Sequence, residues 1–185
     1  MTTRSLASRL ARSCMCTGTC AVLALSAYAQ AADQLQAPMT LVGPEGTGKM
    51  IGNVTIAESK EGLVFTPSLS DLPAGTHGFH VHENGSCGTN EKDGKPVPAG
   101  AAGAHYDPHG AKHHGAPNGD GHLGDLPPLV VAANGGAGTA VVAPRLKLAD
   151  VKGKALMVHA GGDNFSDQPA PLGGGGARIA CGVIQ

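Results

Sequence analysis

The sequence predicts an all-β domain, an eight-stranded antiparallel Greek-key barrel or sandwich with two long functional loops. Eight short segments rich in apolar and β-branched residues are separated by Gly, Pro, Asn and Asp, a pattern typical of strands joined by turns. Helix signals are sparse, and we expect only one short helix, over 148–152. The stretches 83–128 and 161–177 are rich in Gly and Pro without periodicity, which marks functional loops in a compact domain.

The strands are bounded by turn sequences that break the apolar runs. Gly46-Thr-Gly48 and Glu61-Gly62 separate the first three strands, Asp71-Leu-Pro-Ala-Gly75 precedes the fourth, and Asn134-Gly-Gly-Ala-Gly138 separates the fifth from the sixth. Eight strands with almost no helix signal suggest an antiparallel sandwich or barrel with Greek-key connections. The predicted strands are 39–42, 49–57, 63–69, 77–82, 129–132, 139–146, 155–160 and 178–184.

The first 29 residues have the order of a secretory signal peptide. Three arginines and no acid come first, a mostly apolar stretch over 14–25 follows, and Ala27-Tyr-Ala29 supplies the small residues of a cleavage site. No other run approaches the roughly 18 to 20 apolar residues of a membrane-spanning helix. We therefore expect export to the periplasm and no membrane span.

Three segments follow from this interpretation: a removable signal over 1–29, a flexible start over 30–38, and one domain over 39–185. Removing three arginines and no acid changes the formal charge from −1 to −4. A mildly acidic protein lacks the positive surface that attracts nucleic acids or anionic membranes. We expect no nucleic-acid partner, and any anionic substrate must be attracted by local positive charge.

The cysteine count predicts one disulfide. Three of the five cysteines lie in the predicted signal, so Cys87 and Cys181 remain, 94 positions apart. Disulfides persist in the compartments that receive exported proteins, and we expect these two cysteines to be bonded. In the chain-entropy model, a loop of this size is worth roughly 4 to 5 kcal/mol.

Histidines predict a metal site. His80 and His82 are two residues apart in a predicted strand, so both imidazoles project from one face while Phe79 and Val81 take the other. Such a pair is half of a copper or zinc site, although an isolated pair also fits the solvent-facing side of an edge strand. All nine histidines fall between 77 and 159, and five lie in the first long loop: His105, His109, His113, His114 and His122.

Five motifs along the chain resemble those of copper,zinc superoxide dismutases of the exported bacterial type. The resemblance covers about 37–185 and keeps the family's motif order. The motifs are Gly78-Phe-His-Val-His-Glu-Asn-Gly-Ser-Cys87, Gly103-Ala-His-Tyr-Asp-Pro108, Gly121-His-Leu-Gly-Asp-Leu126, Met157-Val-His-Ala-Gly-Gly-Asp-Asn164 and Gly173-Gly-Gly-Gly-Ala-Arg-Ile-Ala-Cys-Gly-Val-Ile184.

The resemblance implies one copper and one zinc ion per subunit. Copper would be bound by His80, His82, His105 and His159. Zinc would be bound by His105, His114, His122 and Asp125, with His105 bridging both metals. Three imidazoles and one carboxylate make a closed tetrahedral zinc site, which agrees with a structural role. Spacing alone predicts a metal site but not two separate metals.

One zinc ligand is ambiguous because His113 and His114 are adjacent. We predict His114, which stands three residues before Pro117 and eight before His122 as in the bacterial family, whereas His113 needs a one-residue shift. His109 and His113 have no counterpart in the family. They are interpreted as solvated loop residues, with metal capture in the periplasm as the alternative.

Further residues acquire roles through the resemblance. Asp163 matches a carboxylate that bonds one copper and one zinc histidine, with an ordinary turn aspartate as the alternative. Arg178, three residues before Cys181, matches the arginine that binds the substrate anion. Lys92 and Lys95 resemble lysines that attract substrate, although a solvated loop explains them nearly as well.

The implied activity is conversion of superoxide to oxygen and hydrogen peroxide, with His105 releasing reduced copper and carrying a proton. A metal-binding protein without turnover is the main alternative, but it is expected to lack Arg178 or the bridging histidine. A copper-only dismutase would lack His122 and Asp125.

His77 is expected to bond the backbone near the site. Family members occur as monomers and as homodimers, and the sequence leaves both open.

Overall fold

The computed structural model describes Met1, Thr2 and residues 33–185. The predicted signal peptide therefore lies, except for its first two residues, outside the described residues, as do the three cysteines within it. Among the described residues, no helix combines the length and apolarity needed to cross a membrane.

Strands make up most of the regular structure in residues 33–185. One short helix, α1 (Leu148–Val151), and two single-turn 3₁₀ helices, Gly100–Ala102 and Leu172–Gly174, complete it. The strands in chain order are β1 (Gln34–Gly43), β2 (Gly46–Ser59), β3 (Gly62–Leu69), β4 (Gly75–His77), β5 (Phe79–His82), β6 (Asn90–Lys92), β7 (Lys95–Val97), β8 (Leu129–Val131), β9 (Val141–Ala143), β10 (Ala155–His159) and β11 (Arg178–Val183).

A seven-stranded antiparallel sheet with the order β5-β10-β11-β1-β2-β3-β9 curls into a half-barrel. β4 pairs with β8, and a bridge between Leu69 and Ala137 links the end of β3 to the segment after β8. The predicted all-β antiparallel class is confirmed. All eight predicted strands are present, with the fourth divided at Gly78, and so is the short helix α1.

Alternation of buried and exposed residues explains why these segments form strands around one core. In β3, Leu63, Phe65 and Leu69 are buried while Thr66 and Ser68 face solvent, the two-residue period of a sheet with one covered face. Phe65 packs edge-to-face on Phe79 of β5 with ring centroids 6.1 Å apart, which joins opposite ends of the sheet across the core.

Two features differ from the sequence-based expectation. The predicted flexible start is wrong for 34–38, because these residues pair with β2 and Gln36 exchanges two backbone hydrogen bonds of 2.8 Å with Gln185. The first long loop also contains the hairpin β6–β7, which is short and mostly exposed and so has no apolar alternation. Its turn is Asp93-Gly94, with φ of 54° and 72°, a sequence that favours tight hairpins.

Candidate metal centre

The β5–β10 ladder places three histidines side by side. His80 pairs with Met157 and His82 with Ala155, so the histidine face of β5 lies beside β10 and its terminal His159. Phe79 and Val81 point the other way into the apolar core, as the two-residue period predicts. A register shift after Val158 turns the end of β10, and His159 then pairs with Arg178.

The first long loop is held against β5 by main-chain hydrogen bonds. Tyr106 N donates to Val81 O at 2.8 Å and Val81 N donates to Gly124 O at 2.9 Å, so two loop segments flank the strand. Bridges also pair His82 with His105 and His80 with Asp125. The loop histidines therefore reach the strand histidines because the loop adds to the sheet at this edge.

Two groups of four buried side chains bring their ligand atoms within 4.8 Å of one another. His105 and His80 belong to both groups. The first group is His80, His82, His105 and His159, and the second is His80, His105, His114 and Asp125. His122 stands slightly outside the second group and contacts Asp125 through Nδ1 at 3.3 Å.

Distances around Asp125 fit a shared tetrahedral ion. Its Oδ1 lies 2.9 Å from His105 Nδ1, 3.1 Å from His114 Nδ1 and 3.3 Å from His122 Nδ1. A tetrahedral zinc ion with ligands at about 2.0 to 2.1 Å separates those ligands by roughly 3.3 Å. Three imidazole nitrogens facing one carboxylate oxygen are therefore arranged as ligands of one metal.

Two buried ring nitrogens support this interpretation. His80 Nδ1 and His105 Nε2 find no hydrogen-bond partner within the described part of the chain. Leaving a buried polar atom unsatisfied costs about 1 to 3 kcal/mol, so two such atoms at one place call for a ligand. Metal ions would satisfy both, and the residues present therefore fit the copper and zinc of the resemblance.

Asp163 connects the two groups and fixes the tautomers of two rings. His80 Nε2 and His114 Nε2 each donate to one of its oxygens at 2.8 Å, which leaves Nδ1 of each ring for a metal. The second long loop seats this carboxylate closely. Gly173 has φ of +70°, and a Cβ there would collide with the Asp163 carboxylate and lie 2.8 Å from His114 Nε2.

Burial keeps four of the imidazoles neutral in the metal-free protein. It lowers the pKa of His105 to about 4 and that of His159 to about 3. The pKa of His80 is lowered by burial against the opposing effect of Asp163, and burial places the pKa of His82 well below its ordinary value. Neutral imidazole is the form that binds metals, so these rings need no deprotonation.

His114 behaves in the opposite way. Burial lowers its pKa, but the contacts with Asp125 and Asp163 outweigh burial and raise the pKa to about 9. Burial raises the pKa of both carboxyls, but hydrogen bonds from His105 and His114 hold the pKa of Asp125 below its ordinary range, and those from His114 and His80 do the same for Asp163. Metal-free His114 therefore carries a proton at neutral pH, and a metal that binds Nδ1 must displace it.

Arg178 lies half-buried beside the first group. Its guanidinium donates to Ala99 O and, at 2.6 Å, to Gly103 O, which also accepts from His82 Nδ1 at 3.0 Å. Burial lowers the pKa of Arg178, but an arginine still stays charged at neutral pH. The shared carbonyl of Gly103 fixes the arginine relative to His82, and no local sequence signal indicated this contact.

Lys92 lines a pocket of about 290 Å³ together with Arg178. It stands on β6, and Lys95 stands on β7 of the same hairpin, both exposed to solvent. Each lysine therefore adds positive charge on the exposed hairpin next to the approach to Arg178.

The remaining histidines take no part in the two groups. His113 is exposed, with Nδ1 donating to Ala111 O and Nε2 3.1 Å from Asp120, so the structure brings His114 rather than His113 to the cluster. His109 is also exposed. His77 is buried, and its ring nitrogens lie 2.8 Å from His159 O and Pro73 O, the backbone role expected from the sequence.

The predicted disulfide is confirmed. Cys87 and Cys181 are bonded, with Cα atoms 5.7 Å apart, and Cys181 is fully buried. This bond ties the start of the first long loop to β11, the strand that begins at Arg178. The residues next to the disulfide thereby stay close to the arginine that donates to Ala99 and Gly103.

Two long-range contacts to this loop were not indicated by the sequence. Arg145 donates to three of its backbone carbonyls, and Asp167 accepts the backbone N–H groups of His114 and Leu172, both at 2.9 Å. Neither residue stands in a recognisable motif.

Comparisons with known proteins agree with this geometry. The family model described as copper/zinc superoxide dismutase matches residues 50–184. The chain is 60% identical over 140 residues to a Superoxide dismutase [Cu-Zn] of Photobacterium leiognathi, covering 75% of this chain and 81% of the relative. It is 56% identical over 168 residues to the Superoxide dismutase [Cu-Zn] of Escherichia coli K12, covering 89% and 96%.

A solved structure shows the same fold. The Cu/Zn superoxide dismutase from Brucella abortus superposes with a TM-score of 0.81 at 56% identity, covering 83% of this chain and all of that chain.

Proposed function

Because the chain belongs to the copper/zinc superoxide dismutase family, we propose that it converts superoxide to oxygen and hydrogen peroxide with one bound copper and one bound zinc ion. In this proposal the copper ligands are His80, His82, His105 and His159. The zinc ligands are His105, His114, His122 and Asp125. Asp163 positions one ligand of each metal.

The position of His105 carries the proposal. Its Nδ1 lies 2.9 Å from Asp125 on the zinc side, while its ring lies 5.0 Å from His82 and 5.9 Å from His159 between centroids. Its buried Nε2 has no partner among the described residues. One imidazole with a nitrogen on each side is what a ligand shared by two metals requires.

A copper ion held by His80, His82, His105 and His159 would supply the redox chemistry, by which one superoxide would be oxidised to oxygen and a second reduced to peroxide. Reduction to hydrogen peroxide also needs protons at the site. His105 Nε2 can hold one there and release it, while Asp125 and the zinc side keep the ring in place through Nδ1.

Arg178 supplies the binding site for an anion. Its two contacts with carbonyl oxygens fix the guanidinium beside His82 and His159, where its charge can hold superoxide next to copper. Exposed Lys92 and Lys95 extend this positive potential on the hairpin, which raises the rate of encounter for an anion approaching a protein of acidic net charge.

The proposed location is the periplasm, and residues 1–29 are proposed as the signal that directs export. Two observations support this: the order of charged, apolar and small residues in 1–29, and the Cys87–Cys181 disulfide, which persists in oxidising compartments. Every proposed ligand lies on one chain. The proposal therefore holds for a monomer and for a homodimer.

The test is the rate of superoxide decay with copper- and zinc-loaded protein, measured for the parent and for Arg178→Ala and Arg178→Lys. We expect fast decay in the parent, a loss of about tenfold or more in Arg178→Ala, and partial recovery in Arg178→Lys, because lysine keeps the charge without the planar fork. Metal content is measured for each variant as the control. Full metal occupancy without decay above that of free copper would contradict the proposal and indicate a non-catalytic metal-binding protein.

A further inference from the structure

Arg145 makes three hydrogen bonds to one short segment of the first long loop. Its Nε donates to Pro117 O at 2.9 Å, one terminal nitrogen to Gly121 O at 3.0 Å and the other to His122 O at 2.6 Å. A guanidinium presents its donors in a rigid planar fork, so three carbonyls bound at once have a fixed arrangement in space. The contacts enclose 117–122, the segment that ends at a proposed zinc ligand.

The backbone that carries Arg145 is itself well anchored. Arg145 is the second residue after β9, and its neighbour Leu146 is buried in the apolar core. Helix α1 begins two residues later and packs against β2. The guanidinium therefore connects the loop to the sheet and its core rather than to another loop.

The anchored segment needs external support. Within 111–122 the main chain forms no strand, and His122 N donates to His113 O at 3.1 Å as one of few internal backbone bonds. Gly115 and Gly121 approach closely, since a Cβ on Gly121 would lie 2.7 Å from Gly115 Cα. The two parts of the loop that meet at Gly115 and Gly121 have no side chains at this contact to fix their relative position.

His122 is the ligand that depends most on this support. Its Nδ1 is the farthest of the three nitrogens from Asp125 Oδ1, and its ring lies 6.1 Å from that of His114 between centroids. Its carbonyl is also the acceptor of the shortest Arg145 bond. Arg145 therefore contacts the backbone of His122 itself, the residue whose ring is the proposed zinc ligand.

We propose that Arg145 is a positioning residue for zinc, which holds the backbone of Pro117, Gly121 and His122 so that the His122 ring is in place before the metal binds. The proposal rests on the zinc assignment above. A residue that affects zinc affinity would then lie in the connection between β9 and α1, outside both long loops.

The experiment compares Arg145→Met and Arg145→Lys with the parent and with Lys152→Met. Lys152 is an exposed cation at the end of α1 and makes a matched control for loss of charge near this surface. Zinc affinity is measured by competition with a chelator. Cobalt(II) bound in place of zinc gives a visible spectrum that reports the geometry of the site. Hydrogen exchange of the metal-free protein is followed at 113–122 and in β10.

We expect Arg145→Met to lower zinc affinity by about 10- to 100-fold, the range typical of losing a partner that orients a ligand. Its cobalt spectrum should lose intensity typical of a tetrahedral site, and exchange at 113–122 should accelerate while β10 stays protected. Arg145→Lys should give an intermediate affinity. Lys152→Met should match the parent in every measurement.

Zinc affinity and exchange in Arg145→Met within twofold of the parent would overturn the proposal. Full recovery in Arg145→Lys would also overturn it, because charge alone would then suffice. Exchange is measured without metal, so it tests the role of Arg145 even if the parent fails to bind zinc and the zinc assignment itself falls. Loss of protection in β10 of Arg145→Met, together with normal behaviour of Arg145→Lys, would indicate a general folding role instead.

Discussion

The two halves of the metal centre are built differently. The strand group, His80, His82 and His159, stands on β5 and β10. Main-chain pairing fixes its members, His80 and His82 in the β5–β10 ladder and His159 against Arg178 of β11. The loop group, His105, His114, His122 and Asp125, comes from a stretch whose regular structure is limited to short elements. Main-chain bridges pair two members of this group with the strand group, His105 with His82 and Asp125 with His80. The segment that carries His114 and His122 depends instead on side chains that bind its backbone, chiefly Asp125, Arg145 and Asp167.

Because of this difference, binding of the two metals should depend on the fold in different ways. A ladder is cooperative with the whole barrel, so the strand group keeps its geometry as long as the barrel is folded. A loop held by separate side-chain contacts can open locally at lower cost, so binding of its metal contributes more to its order. We expect changes in the connecting side chains to weaken zinc binding more than copper binding.

The largest effect is expected from removing the disulfide. Cys87→Ala with Cys181→Ala should lower the free energy of unfolding by up to about 4 to 5 kcal/mol, because the unfolded chain is no longer constrained. Denaturant unfolding of metal-free protein measures this change, and the reduced parent is the control. Since Cys87 anchors the loop, zinc affinity should fall more than copper affinity, and an equal fall in both would contradict the distinction between the groups.

Asp163 bonds one histidine of each group, so its loss should affect both metals. In Asp163→Ala both acceptor oxygens are removed, and His80 Nε2 and His114 Nε2 each lose their partner. We expect the affinities of copper and zinc each to fall about 10- to 100-fold in titration calorimetry. Asp167→Ala is the control, because Asp167 accepts only from backbone N–H groups in these contacts. A fall in zinc affinity alone would show that the strand group needs no such support.

The histidines of the centre should also give two opposite pH dependences of stability in the metal-free protein. Below about pH 6.5 the unfolded chain binds protons on histidines that stay neutral when folded, including His105 and His159, so stability falls toward pH 4. His114 has a raised pKa, so its contribution is complete below pH 6.5 and is lost as pH rises through about 9.

The free energy of unfolding, measured from pH 4 to 10, should therefore be greatest near pH 6.5. Zinc binding at pH 7.5 should in addition release a proton from His114, detected by calorimetry in buffers of different ionisation enthalpy. A stability that increases steadily from pH 6.5 to 9 would contradict the protonated state of His114.

The smallest effect is expected from the exposed hairpin. Replacing Lys92 and Lys95 together by alanine should slow superoxide decay a few-fold at low ionic strength, with the two rates converging as salt increases, because exposed charges act through a screened potential. Lys152→Ala, distant from the hairpin in sequence, is the control for loss of charge. A difference that persists at high salt would show that these lysines contact the substrate instead of attracting it.

The sequence by itself determined those features that follow from short-range pattern. Alternation in β3 and turn residues located the strands, the two-residue spacing of His80 and His82 placed them on one face, and the cysteine count identified the disulfide. Each depends on a period or a count that is visible within the chain. The preference for His114 over His113 came from family spacing, and the structure brings His114 into the cluster.

Only the tertiary structure decided how the loops attach to the barrel. Asp163 meets His80 across 83 positions, Arg145 meets the loop 23 to 28 positions away, and Gln34 to Pro38 join the sheet by pairing with β2. Such contacts join single side chains or backbone groups to partners that the fold brings near, and they impose no periodicity on the sequence. The proposed metal ligands were therefore visible in local motifs, while the groups that hold those residues in position became visible only when distant segments were packed together.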